Sequence, residues 1–171
     1  MEIRLLNEQN AQALWNLRML ALRTDPWSFV ESPGELQKIP IAEYDARLRA
    51  NGPENFIVGA FDHDDLVAMV GFYREQPLKR RHKGWIWGVF VKPEVRGRGI
   101  AKSLMNEAIN HAKAIPGMEI ILLTVSVGQT APRSLYLSLG FRPIGIEPQG
   151  LKIGDEHLDE EHMVLEFART L

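Results

Sequence analysis

The sequence predicts an α/β protein in which a mixed central sheet carries helices on both faces. Two observations lead there. Short apolar runs rich in β-branched and aromatic residues alternate with stretches whose apolar residues recur at helical spacing, in the order β-α-α-β-β-β-α-β-α-β-β. One stretch, Trp85 to Ala114, also spells out a complete strand–turn–helix unit. Residues 85–91 (Trp-Ile-Trp-Gly-Val-Phe-Val) read as a buried strand, and Pro93, which cannot continue a central strand, ends it. After Gly99, the residues Ile100, Leu104, Ala108, Ile109 and Ala112 mark one face of a helix.

Ile3 to Leu6 read as a first strand and Asn7 to Asn10 as a capping turn. Leu14, Leu17, Ala21 and Leu22 make the apolar stripe of a helix that ends near Thr24, ahead of Asp25-Pro26. Residues 25–34 hold two prolines and a glycine around Trp27 and Phe29, which predicts a structured loop. Pro40-Ile41 opens a second helix through Tyr44 and Leu48 to Asn51-Gly52. Phe56–Phe61 and Leu66–Tyr73 are two strands joined at His63-Asp64-Asp65, with Gly71 marking a bulge or a close neighbour. Arg74 to Lys83 is polar and ends in five consecutive basic or His residues, expected to be a solvated hairpin tip. A helix from Gly97 to Ala114, a strand from Glu119 to Val125 and a short helix around Pro132 follow. Ile144–Ile153 and His162–Phe167 are the last strands. The acidic tract between them, 157–161, reads as a solvated turn.

The 171 residues are expected to form one domain, 1–171, with 45% apolar and 25% charged residues. A formal charge of −2 gives no pull toward nucleic acid or membrane, so neither is expected as a partner. There is no cysteine, hence no disulfide, thiol nucleophile or thiolate metal site, and no metal is expected. No signal or membrane-spanning run is visible, which points to the cytoplasm.

The turn Arg96-Gly97-Arg98-Gly99-Ile100-Ala101 carries the chemistry. A helix start has unpaired N–H groups and a partial positive charge, glycines admit an anion close to the backbone, and two arginines add charge. A phosphate or pyrophosphate is the expected ligand. The Walker pattern is absent, and the dinucleotide fingerprint fails because Lys102 stands where a small residue is required.

This Arg96-x-x-Gly99-x-Ala101 order after an apolar strand resembles the pyrophosphate loop of the GNAT superfamily of acyl-CoA-dependent N-acetyltransferases. Leu135-Tyr136-Leu137-Ser138-Leu139-Gly140-Phe141 is similar to a second motif of that superfamily, Leu-Tyr-x-x-Leu-Gly-Phe. Gln129 and Pro132 replace its usual Asn and Ala. The resemblance implies a single-domain, mixed and mostly antiparallel sheet of about seven strands with acetyl-CoA as co-substrate. It implies that the cofactor is held by the backbone of Val89, Phe90 and Val91, by Arg96 to Ala101, and by Gln129 and Tyr136. Tyr136 would protonate the leaving thiolate. Trp27 and Phe29 would either wall the acceptor or plug the core beneath the loop. Relatives carry a catalytic glutamate at positions that here hold Thr124 or Trp85, neither of which can act as a base. Glu31, Glu75, His82 and water remain, and water-assisted deprotonation is expected. The implied activity is acetyl transfer to a primary amine of a small molecule or protein, with homodimers common in the superfamily. The alternative is an acyl-CoA-binding regulatory domain without transfer.

Overall fold

The computed structural model describes residues 1–167; residues 168–171 of the expected domain lie outside the described residues. Seven strands form one sheet in the order β1-β2-β3-β4-β5-β7-β6. These are β1 (Glu2–Leu5), β2 (Asn55–Asp62), β3 (Asp65–Arg74), β4 (Lys83–Val91), β5 (Ile120–Ser126), β6 (Arg142–Ile153) and β7 (Glu156–Glu166). Every neighbouring pair is antiparallel except β4 and β5, which run parallel across the long connection between them.

Helices cover both faces, so the inner strands are buried on both sides and read as continuous apolar runs. β2 shows the rule. Phe56, Val58 and Ala60 face one core, whereas Ile57 and Phe61 face the other. The first core lies beneath α4 (Ile100–Lys113), whose Ile100, Leu104, Met105, Ala108 and Ala112 are the stripe visible in the sequence. The second lies beneath α1 (Ala11–Thr24), α2 (Pro33–Leu36) and α3 (Ile41–Arg49). A last helix, α5 (Thr130–Ser138), precedes β6.

Four expectations change. The loop after α1 contains a short helix, α2, started by Ser32 with a reciprocal cap from Glu35. Helix α4 begins at Ile100 rather than Gly97, because Gly97 and Gly99 take left-handed conformations (φ 76° and 77°) that end the preceding turn. β7 begins at Glu156, so the acidic tract is strand and not turn. A ladder on each side, to β5 and β6, fixes its backbone whatever the charge of its side chains. Arg74 is not solvated: it is 8% exposed and bonds Glu54, Arg81 O and Pro116 O, tying β3 to the turn after α4. Its hydrogen bond is the main reason the Glu54 carboxyl is held below the usual range.

Candidate active site

The site follows from one irregularity. β4 pairs with β5 only at Lys83–Ile120, Gly84–Ile121 and Trp85–Leu122. Beyond that point the strands part, and the sheet opens between residues 86–91 and 123–126. Between β3 and β4 the register moves from Gly71–Trp87 to Met69–Phe90, which places one more residue on β4 than on β3. This bulge holds Gly88, at φ 64°. It bends β4 away from β5. The result is a cleft of about 840 Å³ lined by both strands, the loop before α4, α5 and the loop after α1.

Strand alternation sorts the backbone of β4. Lys92 N–H bonds Val67 O on β3, so the amide and carbonyl of Val91 point the other way, into the opening. The Val91 carbonyl confirms that direction by accepting from Arg96 Nε at 2.9 Å. Phe90 pairs with Met69, which turns its amide toward β3. Its ring is buried in the core under α1. Val89 lines the cleft beside the bulge.

At the mouth, Gly97, Gly99, Ile100, Ala101 and Lys102 line the cleft with the first turn of α4. That turn has no side-chain cap, and a helix start leaves its N–H groups to be met from outside. A Cβ on Gly97 or Gly99 would meet nothing within 4 Å, so open space stands in front of this backbone. These features fit a pyrophosphate. Arg96 lines the cleft and Arg98 does not. Arg96 turns inward to Val91 O and pairs with Asp25 at 2.6 Å, which clamps the loop to β4 and to the end of α1. Arg98 is exposed and does not line the cleft, whereas Lys102 lines it together with Arg96.

Tyr136 and Gln129 both reach the cleft from the opposite wall. Tyr136 is 6% exposed, and burial pushes its phenol well above the usual value, so it stays protonated. Its hydroxyl bonds no described residue and is left to the cleft. Gln129 precedes α5 without capping it by its side chain.

The loop after α1 closes the other end. Phe29 lines the cleft and meets Phe90 edge-on at 6.4 Å. Trp27 does not line it; the Trp27 carbonyl accepts from Ser126 Oγ, so this residue anchors the loop to β5. Thr124 and Trp85, where the resemblance led one to look for a glutamate base, line the cleft. Of the residues weighed as a base, Glu31 lines the cleft and His82 does not. Glu75 lies outside it, bonded to Trp85 Nε1 and Arg80. Sequence reasoning missed Arg18 and Glu160, two further charged residues of the cleft. Only the pairing of β7 with β5, Glu160 opposite Ser126, brings Glu160 there.

A sheet parted at its one parallel junction, with a glycine-rich helix start at the mouth, defines the fold class of the N-acetyltransferases. Residues 16–141 match the Acetyltransferase (GNAT) family, and the chain belongs to it. It is similar to an uncharacterised N-acetyltransferase of Methanocaldococcus jannaschii, 39% identical over 64 residues, a match that spans 37% of this chain and 28% of that protein. In fold it is similar to a GNAT acetyltransferase from Streptococcus pneumoniae (TM-score 0.88, 22% identity, 97% of this chain and 99% of that one). It is also similar to a phosphinothricin acetyltransferase from Sinorhizobium meliloti in complex with acetyl-CoA (TM-score 0.82, 18% identity, 96% and 87% covered).

Proposed function

We propose that the protein transfers the acetyl group of acetyl-CoA to a primary amine by direct attack. The observation that carries this reading is the parting of β4 and β5 with the Gly97–Lys102 backbone and Tyr136 in the same cleft. The pyrophosphate would rest on the first turn of α4, with Lys102 supplying the charge that Arg96 spends on Asp25. The pantetheine arm would run between the parted strands, past Gln129. The amine nitrogen attacks the thioester carbon, and the developing oxyanion needs a donor such as the inward-turned Val91 amide. As the C–S bond breaks, Tyr136 donates a hydrogen bond to the sulfur. A thiol has a reference pKa of about 8.5, below that of a buried phenol, so Tyr136 stabilises the thiolate more readily than it surrenders its proton. The amine's proton leaves to water. Phe29, rather than Trp27, walls the acceptor.

Small-molecule and protein amines both fit this chemistry. A cytoplasmic homodimer of a single domain, 1–171, completes the reading. The test is thiol release from acetyl-CoA over an amine panel. Amine-dependent release supports transfer, whereas tight acetyl-CoA binding with no release from any amine would favour a regulatory binding domain.

A further inference from the structure

Three buried side-chain nitrogens have no hydrogen-bond partner among the described residues: Trp15 Nε1, Arg18 Nη1 and Asn51 Nδ2. Only Arg18 belongs to the cleft. Its side chain is 11% exposed, and everything around it holds the guanidinium still. Nη2 donates to Glu31 Oε2 at 2.6 Å, and the group lies 5.2 Å over the Trp87 ring. The Tyr44 phenol is near as well. Burial raises its pKa, and Arg18, through its charge and its nearness to the hydroxyl, opposes that rise. Nη1 stands 3.4 Å from where a Cβ on Gly88 would be, so it meets β4 at the bulge where the strands part.

A buried donor without a partner costs stability, and a fixed guanidinium N–H in an apolar wall is a strong donor when an acceptor arrives. We propose that Arg18 reads the acceptor: Nη1 donates to an oxygen carried a few bonds from the reactive amine, so the acceptor is an amine beside a carbonyl or carboxylate. This rests on the acetyl-transfer reading, in which the pantetheine arm runs between the strands that part at the bulge. Glu31 neutralises Arg18, so a neutral carbonyl is admitted as readily as an anion. An acceptor lacking the oxygen leaves Nη1 unpaired, which is the costly kind of mismatch.

The test compares alaninamide, alanine and isopropylamine on the intact protein. It measures kcat/KM by thiol release, and binding to the CoA-loaded protein by calorimetry. Rates are compared at equal concentrations of neutral amine, because α-amines and alkyl amines differ in pKa. Alaninamide or alanine is expected to exceed isopropylamine by at least about tenfold in both measurements. Alanine in front identifies a carboxylate; alaninamide in front identifies a carbonyl, as at a peptide N-terminus. Arg18→Met is expected to erase the preference and leave acetyl-CoA affinity unchanged. Equal handling of isopropylamine by the wild type overturns the proposal, as does a preference that survives Arg18→Met. Calorimetry separates this proposal from the reading beneath it. A binding preference without thiol release refutes acetyl transfer and upholds Arg18.

Discussion

Tyr136 spans the core and the cleft: its ring packs among buried residues while its hydroxyl is left to the cleft. Tyr136→Phe keeps the ring, so turnover is expected to fall by about 10²-fold while acetyl-CoA affinity barely changes. Turnover near that of the wild type would make the residue purely structural. The same substitution has a second readout. Burial raises the folded pKa above the unfolded value of about 10, so the associated stability is complete below pH 10 and is lost as the pH rises. Tyr136→Phe should remove its share of that alkaline loss in a pH series of melting temperatures. Tyr44 and Tyr73, raised by the same cause, keep theirs.

Two elements prepare the opening, and each depends on a glycine. At the start of α4, Gly99→Asp adds a side chain and a negative charge where the backbone is expected to meet phosphate. Acetyl-CoA affinity should drop at least about tenfold by calorimetry with the fold retained, as a like charge facing an anion requires. Unchanged affinity would remove the loop from the cofactor site. On β3, a Cβ at Gly71 would lie 2.1 Å from the Trp87 indole, which is why the sequence keeps glycine inside an apolar strand. Gly71→Ala must displace a rigid ring that lines the cleft, so a loss of about 1–3 kcal/mol is expected, with a raised KM for the acceptor. An unchanged melting temperature would mean that Trp87 is free to move aside.

Across the whole molecule, β4, β7 and the loop after α1 bring Glu31 and Glu160 into the cleft that Trp85 and Thr124 also line. If water takes the amine's proton, kcat/KM should climb with pH toward the acceptor's own pKa, about 10.4 for a lysine-type amine and 7.7–8.0 for an α-amine. Profiles for two such acceptors are expected to level off at different pH. A bend at one shared pKa for both would identify an enzyme group as the base and make Glu31 and Glu160 the residues to substitute.

Strand and helix order, the Gly97–Gly99 turn and the apolar stripe of α4 were legible in the chain because each is a local matter of periodicity and backbone freedom. The Leu135–Phe141 motif was legible too, as a short pattern at one helix. The acidic strand β7 was not, since partners on both sides hold it extended against its own composition. Nor were the partners that Arg96 and Trp27 take in the fold. Their direction is set by what packs 70 or more positions away, as Asp25 does for Arg96 and Ser126 for Trp27. The unpaired Nη1 of Arg18 exists only because α1, β4 and the loop bearing Glu31 enclose one guanidinium together, a condition that no sequence window contains.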